Sequence, residues 1–87
     1  MDYELIIRSI IEPLVEHKDI IMIRELPANS PKELVYLIVS ENDDTRRLIG
    51  RRGIIANAIR EVVSIAGKKD KKRIHLKFES FSNEENE

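Results

Sequence analysis

The 87-residue chain has no cysteine, no tryptophan, only three glycines and only three prolines. Without cysteine there is no disulfide scaffold, no zinc ribbon and no thiol nucleophile. The same absence fits a reducing compartment. Two tyrosines and two phenylalanines are too few for a sheet that stacks bases on aromatic rings. No stretch approaches the roughly 20 apolar residues of a membrane span. The first residues do not form a secretory leader, because Asp2 and Glu4 come first and Arg8 and Glu12 interrupt the apolar positions. A soluble cytoplasmic protein is expected. The length allows one core, and such a chain buries only about 60–65% of the surface its unfolded form exposes.

What the chain has in abundance is charge, and it is segregated. Residues 1–45 carry four basic and ten acidic side chains, residues 46–77 eleven basic and two acidic, and residues 78–87 four acidic. The formal net charge of −1 conceals this division. A local basic surface attracts polyanions whatever the total charge, so the middle segment points to nucleic acid.

Apolar spacing predicts a helix over residues 2–17, through Tyr3, Ile6, Ile7, Ile10, Ile11, Leu14 and Val15. Pro13 lies inside it and predicts a kink or an early stop. Residues 19–26 read as a strand, residues 27–31 as a turn, and residues 33–40 as a second strand. The unbroken apolar run Leu34–Val39 suggests a central strand covered or flanked on both faces. Glu41 to Asp44 open a short helix, with Asn42 as the cap and Asp43 and Asp44 at the positive end of its dipole. That helix breaks at Gly50. Another begins near Gly53, with Ile54, Ile55, Ala58, Ile59, Val62, Val63 and Ala66 spaced as a wide buried stripe and Gly67 as its terminator. Residues 73–79 alternate cleanly as a strand with one wet face. The order is α-β-β-α-α-β, an α+β fold with a three-stranded mixed sheet and three helices on one face. Residues 1–80 form the domain, and residues 81–87 an acidic tail too polar to pack.

The segment Leu48-Ile49-Gly50-Arg51-Arg52-Gly53-Ile54-Ile55 carries the chemistry. Its glycines permit backbone angles closed to other residues and let another backbone come close. A helix opening at Gly53 aims its unpaired N–H groups and positive dipole end over the turn. Arg51 and Arg52 add two permanent charges. An anion is the natural occupant, and a sugar–phosphate backbone fits the shape.

The Ile-Gly-x-x-Gly turn between two helices in this element order resembles type II KH domains. Over residues 2–79 the chain is similar to the KhpA family of small bacterial single-KH proteins. Ile49, Gly50 and Gly53 match the core motif, and Ala56, Ala58, Ile59 and Arg60 match the following helix. Four residues depart from the family, at three places. Arg46 stands where a glycine is common, Arg51-Arg52 where Lys-Gln is common, and Ile54 where a basic residue is usual. The first two departures add charge, and Ile54 removes a polar contact. The resemblance implies that the turn clamps about four nucleotides of single-stranded RNA, with the bases in the adjoining groove. It also implies a homodimer, or a heterodimer with a larger KhpB-like KH protein, acting as an RNA chaperone or regulator in cell elongation and peptidoglycan homeostasis.

The expected RNA-binding residues are Arg46, Arg47, Ile49, Gly50, Arg51, Arg52, Gly53, Ile54, Arg60, Lys68 and Lys69. The first eight surround the turn. Arg60 shares a polar helix face with Asn57 and Ser64, within reach of a phosphate. Lys68 and Lys69 belong to a charge run, Lys68 to Arg73, that reads equally as a solvated loop or as part of the RNA surface. Few polar side chains are placed to read bases, so low sequence preference is expected. His17 and His75 read as surface histidines without a carboxylate partner. Neither a metal nor a cofactor is expected. An alternative is a protein-interaction module in which the fold mainly dimerises or docks a partner. An enzyme is disfavoured, because the turn lacks the Gly-Lys-Ser/Thr of a P-loop and no nucleophile–base pair stands out.

Overall fold

A computed structural model describes residues 2–81 of the chain. Its helices are α1 (Tyr3–Ile11), α2 (Asn42–Ile49) and α3 (Ile54–Lys69), and its strands β1 (Met22–Leu26), β2 (Glu33–Ser40) and β3 (Arg73–Ser80). The order is the α-β-β-α-α-β expected. β2 lies between the other two strands, antiparallel to β1 and parallel to β3, with Ile38 opposite both Ile23 and Phe78. The acidic end of the chain, residues 82–87, lies outside the described residues.

One core joins the helices to one face of the sheet. Ile7 and Ile11 of α1, Leu48 of α2 and Val63 of α3 bury against Ile38, Ile74 and Leu76. The helices leave the other face of the sheet uncovered, and there Val35 and Leu37 are half-buried and Val39 is buried. The apolar run of β2 therefore reflects strands on both its edges and helices on one face. Tyr3 ties the two ends of the helical layer together by donating its hydroxyl to Asp70. That hydrogen bond, together with burial, pushes the Tyr3 pKa up to about 12.

Four local readings need correction. The helix expected over residues 2–17 is shorter: α1 stops at Ile11, the early stop expected at Pro13 rather than a kink, and a single 3₁₀ turn, Glu12–Leu14, follows. The strand expected from residue 19 starts at Met22, because Lys18–Ile20 curl into another 3₁₀ turn. The cap of α2 is Glu41, whose carboxylate accepts from the amides of Asp43 and Asp44 at 3.0 and 3.2 Å; Asn42 is the first helical residue. Gly67 lies within α3, two residues before its end. Glycine inside a helix costs about 1 kcal/mol relative to alanine. Here a Cβ would stand 2.8 Å from the backbone oxygen of Lys72 and 3.0 Å from the Ile74 side chain. The close return of the chain into β3 requires the missing side chain.

Asp44 is the largest departure from expectation. It is fully buried, and each of its oxygens accepts two hydrogen bonds. Oδ1 receives the Glu16 amide at 3.0 Å and Arg47 Nη1 at 2.6 Å. Oδ2 receives the His17 amide at 2.9 Å and His17 Nδ1 at 3.2 Å. Burying an ion costs several kcal/mol, but hydrogen bonds to a charged group contribute about 1.5–3 kcal/mol each. Burial acts to raise the Asp44 pKa. The Glu16 and His17 amides, the His17 ring and Arg47 outweigh it and hold the carboxyl below its ordinary value. The neighbouring Thr45 is also buried, and its hydroxyl meets Ser40 Oγ at 2.6 Å and the Glu79 carbonyl at 3.3 Å. Together the two residues fix the start of α2 against both the 16–17 loop and the ends of β2 and β3.

A carboxylate with a lowered pKa stabilises the fold above its unfolded value of 3.8 and loses that contribution as the pH falls below it. Asp44→Asn is expected to lower unfolding free energy at neutral pH by about 3 kcal/mol, since an amide cannot accept at all four positions. The variant should also lose much of the wild-type decline in stability as the pH falls below about 4. Urea titrations across that range check both.

Candidate nucleic-acid interface

α2 ends on Gly50, whose amide donates to the Arg46 carbonyl at 2.8 Å. Gly50 has φ 74° and ψ 176°, a region that glycine alone occupies readily. A Cβ there would lie 2.3 Å from Ile55 Cγ1. One tight turn, Arg51–Gly53, follows, closed by the Gly53 amide donating to the Gly50 carbonyl at 3.2 Å. Arg52 and Gly53 both take left-handed angles, with φ 57° and 78°. The two glycines differ in kind. Nothing lies within 4 Å of a Cβ built on Gly53, so that side of the turn is open.

Arg51 and Arg52 are exposed, and among the described residues no carboxylate pairs with either. Their charge is therefore undiminished in front of the amino end of the 16-residue α3. Ile54, 65% exposed, lies immediately behind the turn, and Ile49 is half-buried before it. The other basic residues divide. Arg46 projects into solvent, with only Asp43 at 3.5 Å. Arg47 is committed to Asp44, with Glu16 at 3.5 Å, and so acts as much in the fold as on the surface.

Arg60 is held in place rather than free. Its Nε and Nη2 donate to the Leu76 carbonyl of β3 at 3.2 and 3.1 Å, and Nη1 donates to Asn57 Oδ1 at 3.0 Å. The guanidinium lies over the Phe78 ring at 5.4 Å. Lys68 and Lys69 sit at the far end of α3, about 22 Å along the axis from the turn. The structure thus gathers Arg46 to Ile54 in one place, sets Arg60 two turns along, and separates Lys68 and Lys69.

Sequence reasoning missed the anchoring of Arg60 and the carboxylate partners of both histidines. The Asn57–Arg60 spacing did signal that amide and guanidinium share a helix face. Their meeting with β3 is a tertiary fact. His75 Nε2 lies 3.3 Å from Glu33, and His17 lies 3.2 Å from Asp44 and 3.6 Å from Glu41. One nitrogen and two carboxylate oxygens of His17, Glu41 and Asp44 fall within 4.8 Å of one another. Four hydrogen bonds already occupy the Asp44 lone pairs, and Glu41 is spent as the α2 cap, so the cluster serves as a structural hydrogen-bond network.

The contrast between the glycines has a measurable consequence. Gly50→Ala is expected to lower stability by about 3 kcal/mol, from backbone strain and collision with Ile55. Gly53→Ala should cost only about 1 kcal/mol, because the strain of the left-handed angle stands alone. Paired denaturant titrations check the difference; equal losses would contradict the geometry.

The sequence matches the family model described as KhpA/KhpB, KH domain, over residues 4–78. It is 38% identical over 75 residues to the RNA-binding protein KhpA of Listeria monocytogenes strain EGD-e, covering 86% of this chain and 96% of that one. To the RNA-binding protein KhpA of Bacillus subtilis strain 168 it is 35% identical over 78 residues, covering 90% and 91%. To that of Lactiplantibacillus plantarum it is 31% identical over 78 residues, covering 90% and 89%. No solved structure matches the chain. The element order, the glycine-flanked turn and these relatives agree: the chain belongs to the KhpA/KhpB KH-domain family.

Proposed function

We propose that the chain binds single-stranded RNA by gripping its sugar–phosphate backbone at the Gly50–Gly53 turn. One observation carries this reading. Two exposed guanidinium groups, unpaired among the described residues, stand on a left-handed turn at the amino end of a long helix. Charge, a helix amino end and the open space beside Gly53 then belong to one turn. The relatives' names as RNA-binding proteins support it. Arg46, Arg47, Ile49 and Ile54 border the grip, and Arg60 extends it along the groove. Lys68 and Lys69 add long-range attraction, from too far away to touch the same nucleotides.

RNA binding should be weak for a single domain and sensitive to salt. Neutralising three or four phosphates gives a log–log slope of roughly −2 to −3. Replacing both Arg51 and Arg52 with aspartate should abolish binding to a short RNA and leave the urea midpoint within error. Fluorescence anisotropy at several salt concentrations measures the slope and the loss together. Unchanged affinity in the double variant would refute the grip.

A second reading accompanies the first. Ile54, Ala58, Val62 and Ile65 form an exposed apolar stripe on α3, opposite its buried Ala56, Ile59 and Val63. Val62 is 52% and Ile65 64% exposed. Such a stripe supports pairing with a second KH domain, either another copy of this chain or a KhpB-like protein. Two joined turns would bind RNA far more tightly than one. In this reading the protein is an RNA chaperone or regulator, with roles in cell elongation and peptidoglycan homeostasis. Val62→Glu with Ile65→Glu should convert a dimer to a monomer in analytical ultracentrifugation. A wild-type mass of one chain at high concentration would remove the homodimer.

A further inference from the structure

The basic run from Lys68 to Arg73, which the turn leaves unused, gathers at the opposite end of α3. There the chain bends back toward β3. The Lys71 amide donates to the Lys68 carbonyl at 3.1 Å and the Lys72 amide to the Gly67 carbonyl at 2.9 Å, with Lys71 at a left-handed φ of 59°. The bend is tied to the sheet. Lys72 Nζ donates to the Pro31 carbonyl at 2.9 Å, and the Arg73 amide to the Lys32 carbonyl at 2.8 Å. Lys32 therefore joins the same end of the molecule, and a loop held this way has little chain entropy left to lose on binding.

Lys32, Lys68, Lys69, Lys71 and Arg73 are exposed, and no carboxylate of the described residues pairs with any of them. The carboxylates within residues 32–33 and 68–73 have other partners. Asp70 accepts from the Tyr3 hydroxyl, and Glu33 lies 3.3 Å from His75 Nε2. None of the large exposed apolar side chains of the described residues falls within residues 31–35 or 67–77. A protein partner needs an apolar centre and disfavours lysine, whereas a polyanion needs only the charge. The cluster lies about 22 Å from the Gly50–Gly53 turn along α3. A strand stacked at roughly 3.4 Å per nucleotide crosses that distance in about six nucleotides.

We infer that the α3–β3 loop, with Lys32 beside it, is a second phosphate-binding surface for the same RNA strand, dependent on the proposed grip to position that strand. The turn holds about four nucleotides, the lysines meet phosphates about six nucleotides farther on, and one chain covers about ten. Only the backbone is contacted, so the surface rewards RNA length and ignores sequence.

The test compares a pentamer and a dodecamer of single-stranded RNA by fluorescence anisotropy at about 0.15 M salt. The Debye length there is about 8 Å, so a charge about 22 Å away is silent for a pentamer held at the turn. Changing Lys68, Lys69 and Lys71 together to glutamine should weaken dodecamer binding roughly tenfold and flatten its log–log salt slope by about 2, three phosphates at about 0.7 each. Pentamer binding should stay within about twofold. Arginine at the same three positions keeps the charge and should bind the dodecamer as the wild type does. Undiminished dodecamer affinity in the glutamine chain overturns the inference. So does an equal loss on both lengths, or an equal loss in the arginine chain, since the lysines would then act through the fold. Those results leave the grip standing. Only undiminished pentamer binding by the Arg51→Asp, Arg52→Asp chain removes the grip itself.

Discussion

The buried carboxylate of Asp44 is the constraint from which the site follows. A charge in the core is tolerable only when its lone pairs are filled, and here four donors from three residues fill them. Those donors belong to the loop before β1 and to α2 itself. Satisfying the charge therefore forces loop and helix together, delays the first strand until Met22, and sets the direction of α2. Thr45 completes the arrangement by joining the same helix to the ends of β2 and β3. A helix of eight residues has little stability of its own, so these anchors give the following turn a fixed place.

The turn uses its two glycines for different purposes. Gly50 is internal in character, since its angles and the proximity of Ile55 leave no room for a side chain. Gly53 is external, with left-handed angles and free space around it. Between them the arginines have no competing carboxylate among the described residues, whereas Arg47, one helical turn earlier, is spent on Asp44. Basic residues close in sequence have thus been divided between holding the site and presenting charge. Arg60 belongs with the first, since its guanidinium is bonded to the Leu76 carbonyl on the edge of β3 and to Asn57.

This division explains what could be read in advance. Element order and the turn motif were legible because each is a local pattern: apolar period, glycine spacing, charge density. The stripe of α3 was legible only in part: Ile59 and Val63 are buried as expected, whereas Ile54, Ala58 and Val62, expected beside them, are exposed and Ala56 is buried in their place. The cap of α2 was misplaced by one residue, because a glutamate with a free rotamer reaches amides that a shorter asparagine was expected to reach. Gly67 was misread because glycine near a helix end usually terminates it, and the approach of Lys72 is invisible before the chain returns. Asp43 and Asp44 looked equivalent as neighbours at a helix start. One is exposed and the other lies at the centre of a hydrogen-bond network.

By itself the sequence determined the order of helices and strands, the segregation of charge, and the presence of a glycine-flanked bend carrying two arginines. These depend on short-range backbone preferences and on residue counts, which need no partner to act. Only the tertiary structure decided which charges remain available, because an arginine is spent or free according to the carboxylate or carbonyl that folding brings within about 3 Å of it. It also parted Lys68 and Lys69 from the turn and set Arg60 against β3, since the length of α3 carries one end of the basic segment away while its packing brings the middle onto the strand edge.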